Sequence, residues 1–334
     1  MEFLMPFIVS TRPVVAGGKS DTAYVLSDTA GTVRVEVWPA FGFNCLRWQV
    51  RRENGDWGDL IYCDPTWEQN PVPTRSGHPI LFPFPNRLKQ GRFTFEGREY
   101  QLPLNEATGT HAIHGFTPRN SWRVIGAGGE KSRAFVTGQF QLSKDLPNSV
   151  RLWPADFVFT VTYQLTADAL TVDCLVENPD SKNLPFGIGY HPYFCCPNAP
   201  EVQADEMVLQ AATGEVWDVE AGIPTGSRRP AANELDFRAP RTIGAAALDT
   251  LYTRDPGHPA VAILGHGSVP GRMTIFADPS FRELLLFTPP HRKAVAIEPY
   301  TCATNAANMS DAGWRVLPPG GQFPATVQYR WQRL

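Results

Sequence analysis

The sequence predicts an all-β protein, one large antiparallel β-sandwich spanning residues 1–334 with little helix. Three observations predict it. Apolar residues recur with period two, as in "DFVFTVTYQL", where Phe157, Phe159, Val161, Tyr163 and Leu165 share one face. Helical periodicity is scarce. The 31 prolines and 28 glycines interrupt the chain every few residues, which suits short strands joined by many loops.

Taken in order, the chain opens on "MEFLMPFIVSTRPVVAGG", a short apolar segment with an acidic second residue. It lacks the basic start and long apolar stretch of a secretory signal and reads as an ordinary first segment. Strand-like runs follow in "VRVEVWP" and "NCLRWQVRR". In "GHPILFPFPNRLKQGRF", Pro79, Pro83 and Pro85 alternate with Leu81, Phe82 and Phe84. Prolines fix φ and cannot donate to a ladder, so this is an edge or loop segment with its aromatics held stiffly. "GRFTFEGREYQL" reads as a hairpin turning at Glu96-Gly97. "LTVDCLVEN" resumes alternation through Leu170, Val172, Cys174 and Val176 and completes a hairpin with the run before it, around the four-residue turn "TADA". Residues 197–250 read as loop-rich. Strands of the same character resume in "MTIFAD", "ELLLFTPP", "KAVAIEP" and "ATVQYRWQRL", so no domain boundary is placed there.

Composition excludes several function classes. A formal net charge of −3 with no basic stripe argues against a nucleic-acid partner. No stretch approaches the roughly 18 consecutive apolar residues of a membrane span. The six cysteines, including the adjacent Cys195 and Cys196, form no C-x-x-C pair, and the missing signal favours a reduced, cytoplasmic setting. No cofactor is expected, since no phosphate-cradling glycine motif is present. Nor is a metal: His111 and His114 in "THAIHGFTPRNSW" have H-x-x-H spacing, but the glutamate of H-E-x-x-H is absent.

Other residues look chemical. His191 sits among Tyr190, Pro192, Tyr193 and Phe194 in "GIGYHPYFCC", where it is either a packed core histidine or an acid–base group. Glu298 leaves an apolar run in "AIEPYTCATNA", and a buried carboxylate needs a partner or a purpose. Arg87 follows the stiff proline segment, placed to fork onto a polar ligand or to pair with a carboxylate. His114 precedes Gly115, whose bare backbone lets a ligand or another strand approach closely. Carboxylate, imidazoles and aromatic faces together suit a sugar. Rings such as Tyr193 and Phe287 stack on its apolar faces, while Arg87, Asn86 and aspartates bind hydroxyls.

Four segments in this order, "NRLKQGRFTFEGREYQL", "HAIHGF", "GIGYHPYF" and "AIEPYTCATNA", resemble the aldose 1-epimerase (galactose mutarotase) family across roughly residues 30–330. The resemblance implies a β-supersandwich and an enzyme that interconverts the α and β anomers of a hexose. It implies Arg87 on substrate hydroxyls, His114 near the sugar ring oxygen, His191 as general acid, Glu298 as general base and Asp249 on hydroxyls. The chain departs from better-known members at Phe116, where they have a second glycine, and at Tyr190, where they have asparagine. "HGFTPR" is also similar to the hexose-6-phosphate epimerases, for which Arg75, Arg119 and Lys89 are the candidate extra cations. A glycoside hydrolase using Glu298 with Asp249, or a non-catalytic sugar-binding protein, are the rival expectations; the partner expected is a small-molecule sugar, and the protein is expected to be a monomer or homodimer.

Overall fold

Alternation sorts this chain into sheets that each turn one face to a shared core. The computed structural model describes residues 6–195, 201–267 and 271–333. A five-stranded meander comes first: Phe7–Ala16, Lys19–Asp28, Val33–Trp38, Asn44–Arg51 and Trp57–Asp59, paired in sequence order. A nine-stranded antiparallel sheet carries Val158–Leu165 and Ala169–Glu177 at its centre, beside the C-terminal strand Gln322–Gln332. An eight-stranded sheet carries Glu283–Phe287 and Val295–Tyr300 at its centre, with Ile80–Leu81 on one edge. One hydrophobic cluster, including Phe82, Phe157, Phe159, Val161, Tyr163, Val295 and Ile297, fills the space between the large sheets. The predicted all-β architecture is thus observed. No helix among the described residues is long and apolar enough to cross a membrane.

The local expectations hold in detail, with two exceptions. Phe157, Phe159, Val161, Tyr163 and Leu165 are all fully buried, as are Leu170, Val172 and Val176 on the partner strand. Glu96 and Gly97 take φ of 48° and 77°, the left-handed pair a two-residue hairpin turn requires. The expected four-residue turn is narrower, however. Ala169 already belongs to its strand, and the Thr166 N–H donates to the Ala169 carbonyl, so residues 166–168 make the turn. Region 197–250 also differs from its loop-rich reading. It contains the strands Met207–Ala211, Thr213–Glu220, Ile223–Pro230 and Arg241–Thr242, which form the outer edges of both large sheets. Edge strands bury less of their surface, so their sequences alternate weakly and resemble loops. Residues 196–200 lie outside the described segments, and Cys196 with them.

The stiff segment 77–87 lies at the sheet edge, as its prolines require. Beyond Leu81 it leaves the ladder, and a cis peptide joins Phe82 to Pro83. There the Phe82 backbone bridges in parallel to Gly115. Gly115 has φ of 68°, and a Cβ on it would lie 2.1 Å from the Phe82 carbonyl oxygen. Backbone, not ligand, is what its missing side chain admits. Gly115→Ala therefore forces two segments apart and strains the turn, costing on the order of 2 kcal/mol or more. Denaturant unfolding checks this, and an unchanged midpoint would show that the two backbones are not locked together.

Candidate active site

The strand Val295–Tyr300 divides its residues between two jobs. Val295 and Ile297 point into the main core, whereas Ala296 and Tyr300 belong to clusters on the sheet's other face. Glu298, between those two in period, shares that outer face. Leu284 and Leu286 likewise point inward, and Leu285 and Phe287 outward. Register then aligns a row across four strands: Asp249 opposite Phe287, Phe287 opposite Ala296, and Ala296 opposite Tyr193. Ala296 is fully buried between the rings of Tyr193 and Phe287, two positions along the strand from Glu298.

His191 packs against this row. Its ring stacks on Tyr193 at 4.6 Å between centroids and meets the Phe287 ring edge-on at 6.2 Å. Its Nε2 lies 3.3 Å from Glu298 Oε1. The Tyr193 hydroxyl donates to the Thr74 carbonyl at 2.7 Å, so it can only accept from His191 Nε2, 3.3 Å away. That places the proton of the neutral ring on Nε2 and leaves the buried Nδ1 without a partner among the described residues. Glu298 is fully buried. Its Oε2 accepts from the Tyr300 hydroxyl, which leaves Oε1 turned towards His191 but without an aligned hydrogen bond.

Burial disfavours both charges. It pushes the Glu298 carboxyl well above the ordinary carboxylate range, with Asp249 nearby pushing the same way against the Tyr300 hydrogen bond. Burial also pushes His191 down, to about 3. A protonated Glu298 with neutral His191, and an ionised Glu298 with charged His191, hold the same number of protons. The two arrangements differ only in whether one proton sits on Glu298 or on the second ring nitrogen, Nδ1, of His191.

His114 faces the pair from a second segment, its ring 5.8 Å from that of His191. It and Asn86 both adopt left-handed backbone, with φ of 65° and 54°. The His114 N–H donates to the Asn86 carbonyl at 2.9 Å, and the Asn86 N–H donates back to His114 Nδ1 at 3.2 Å. Nδ1 is thus an acceptor, and Nε2 carries the proton of a neutral ring. Burial, then the nearby His191, Arg119 and Arg87, keep this ring uncharged. Asn86 Oδ1 accepts from the Arg87 backbone N–H at 2.8 Å. Half-buried Arg87 pairs through Nε with Glu106 at 2.5 Å. The carboxylate-pairing alternative for Arg87 is therefore realised, while its Nη2 keeps no protein partner among the described residues.

The remaining candidates separate. Asp249 is exposed at the end of the row. His111 is buried and accepts from the Gln90 N–H at 3.1 Å, a structural use. Arg75 is exposed beside Tyr193, Lys89 is exposed near Asn305, and Arg119 lines a cleft with Phe84, Leu102 and Phe116. No cluster of metal-ligating side chains occurs among the described residues. Cys45, Cys63, Cys174, Cys195 and Cys302 form no disulfide with one another. Sequence reasoning missed Tyr300, Ala296 and Glu106. The first two were legible, because i±2 positions on a strand share the face of Glu298.

A raised folded-state carboxyl pKa contributes stability below the ordinary value of ~4.3 and loses it as pH rises through the folded value. Glu298→Gln keeps an acceptor for Tyr300 and abolishes that loss. Once pH is above the folded value, the variant should equal or exceed the parent in stability. The margin is about 1.4 kcal/mol for every pH unit that separates the folded value from the ordinary one. Thermal unfolding from pH 5 to 9 measures this; a variant less stable at every pH means that Glu298 is held ionised by unseen partners.

The sequence model for aldose 1-epimerase matches residues 33–330. The uncharacterized protein YihR of Escherichia coli (strain K12) is 29% identical over 238 residues, 69% of this chain and 71% of that protein. Galactose mutarotase of Sus scrofa is 29% identical over 171 residues, which cover 48% of this chain and 44% of the pig protein. A galactose mutarotase-like protein from Clostridium acetobutylicum superposes with a TM-score of 0.85 at 20% identity, over 98% of this chain and 99% of that one. The galactose 1-epimerase of Lactobacillus acidophilus NCFM gives 0.78 at 18% identity over the same shares. At those identities the structural likeness establishes a galactose mutarotase-like fold and nothing finer. With the family's sequence model matched along most of its length, this chain belongs to the aldose 1-epimerase family.

Proposed function

We propose that the protein is a mutarotase, interconverting the α and β anomers of a hexose by opening and reclosing its ring. The observation that carries this is the 3.3 Å approach of His191 Nε2 to the fully buried Glu298 Oε1, beside the rings of Tyr193 and Phe287. Sugar rings present apolar C–H faces that stack on Tyr193 or Phe287. Asp249 and the free side of Arg87 bind hydroxyls at the rim. His114 offers Nε2–H near the ring oxygen.

Ring opening removes the proton of the anomeric hydroxyl and delivers one to the ring oxygen. Both oxygens sit on one carbon, so base and acid must stand together. Glu298 takes the hydroxyl proton as the anomeric carbon becomes an aldehyde. His191 gives its proton to the departing ring oxygen. The pair passes from charged to neutral as the ring opens, and burial favours that direction. Rotation about the first carbon–carbon bond presents the aldehyde's other face, and reclosure returns both protons. No electron sink or Lewis acid is called for by these steps.

A glycoside hydrolase needs two carboxylates across the scissile bond. Here the nearest group to Glu298 Oε1 is an imidazole, which disfavours that rival. A phosphorylated hexose remains a variant of the main proposal, and exposed Arg75 beside Tyr193 is what favours it. Rates with free and 6-phosphorylated hexoses in one assay select between them.

His191→Ala and Glu298→Gln should each lower the enzyme-catalysed rate about 10²–10⁴-fold while remaining folded. Polarimetry on a freshly dissolved single anomer, corrected for the spontaneous reaction, checks this, and wild-type rates in either variant refute its assigned role. The working pair carries one proton. It gains a second only as pH falls towards about 3, the depressed value of His191, and loses its one proton above the ordinary carboxylate range. The kcat/KM profile should therefore show no acid limb centred near ~6.5, the ordinary imidazole value. An acid limb centred there would mean that His191 titrates as a solvated ring.

A further inference from the structure

His78 plays no part in the chemistry above, yet it is fully buried directly behind the site. Its Nδ1 lies 3.0 Å from the Tyr163 hydroxyl, and its Nε2 lies 2.8 Å from the Tyr329 hydroxyl. Those tyrosines are 85 and 251 positions away in sequence, on central strands of the nine-stranded sheet. The Tyr163 hydroxyl also donates to the His78 carbonyl at 3.3 Å. One proton arrangement satisfies every group: Nδ1–H donates to Tyr163, Tyr163 donates to the carbonyl, and Tyr329 donates to Nε2. Burial pushes the ring to about 3, so it is neutral and performs no proton transfer at working pH.

The residues on either side of His78 hold the site. The Pro79 carbonyl accepts from the His191 N–H at 3.0 Å, and the Gly77 carbonyl accepts from the Tyr193 N–H at 3.0 Å. The His78 N–H itself donates to Asn44 Oδ1 at 2.7 Å. The backbone of His191 and of its stacking partner therefore hangs on residues 77–79. That short segment leads into the edge strand Ile80–Leu81, and its Gly77 N–H donates to the Tyr62 carbonyl at 2.9 Å.

We propose that His78 is a positioning residue: gripped by Tyr163 and Tyr329 of the opposite sheet, it fixes the backbone that sets His191 against Glu298. The role rests on the proposed acid–base function of that pair, and it differs from packing because it is exercised through two specific carbonyls. A fully satisfied polar network specifies one geometry, whereas apolar packing of the same volume tolerates small shifts.

His78→Leu alone strands two buried hydroxyls and would lose stability on that account. The decisive variant is H78L/Y163F/Y329F, which removes all three polar partners together. It strands only the carbonyl of position 78, so it should unfold closer to the wild-type midpoint than His78→Leu does, but show kcat lowered about 10-fold or more with KM within about 3-fold, since small misplacements of a reacting group are costly. The ¹⁵N shifts of the His191 imidazole, read by long-range ¹H–¹⁵N NMR, should move in the same variant. Wild-type kcat together with unmoved His191 signals overturns the proposal. Should the triple variant fail to fold, Y163F and Y329F decide singly: reduced kcat in either supports the clamp, and wild-type kcat in both overturns it. If the wild-type protein turns over no sugar, the proposed function has failed, and the His191 signals still decide whether His78 positions the ring.

Discussion

One fully buried carboxylate beside one nearly buried imidazole is the constraint around which this molecule is arranged. Neither group can carry charge alone at low cost in such surroundings. Together they hold one proton with no net charge in either arrangement, so the interior tolerates them as a pair. In the proposed mechanism that tolerance is also what makes them reactive. There, a proton is taken from one substrate oxygen and another is given to the second without leaving net charge on the pair.

Such a pair needs rigid support, and the fold supplies it by three means. Strict alternation on Val295–Tyr300 drives Val295 and Ile297 into the core and so fixes the direction in which Glu298 points. Reciprocal hydrogen bonds between Asn86 and His114, both in left-handed backbone, lock a second wall. The 77–79 segment suspends His191 and Tyr193 from its carbonyls, with His78 tied into the facing sheet. Residues distant in sequence thereby meet at hydrogen-bond distances, and the Tyr300 hydroxyl orients the carboxylate so that one oxygen stays available.

Much of this was legible in the chain. Period two identified the strands because each sheet buries one face, and prolines placed residues 77–87 at an edge because they cannot donate. Glu298 and His191 stood out by chemistry, as polar groups in apolar or aromatic surroundings. What escaped had a physical reason. Arg87 could face ligand or carboxylate, and only folding revealed Glu106 beside it. The outermost strands of 207–242, Ile223–Pro230 and Arg241–Thr242, bury too little to alternate clearly. His78 resembled any other histidine, since its partners lie far along the chain and nothing local encodes their approach. Tyr300 was readable by strand period but is an aromatic among aromatics, and its hydroxyl matters only because Glu298 is buried beside it.

The claim on which the account rests is that the two groups share one proton. Following the Glu298 side-chain carboxyl by ¹³C NMR alongside the His191 ring nitrogens as pH is varied tests it most directly. The account predicts that the carboxyl titrates well above the ordinary ~4.3 of a glutamate, and that His191 responds to the same step. A carboxyl ionising at the ordinary value, with the imidazole titrating separately near ~6.5, would show two independent groups and contradict it.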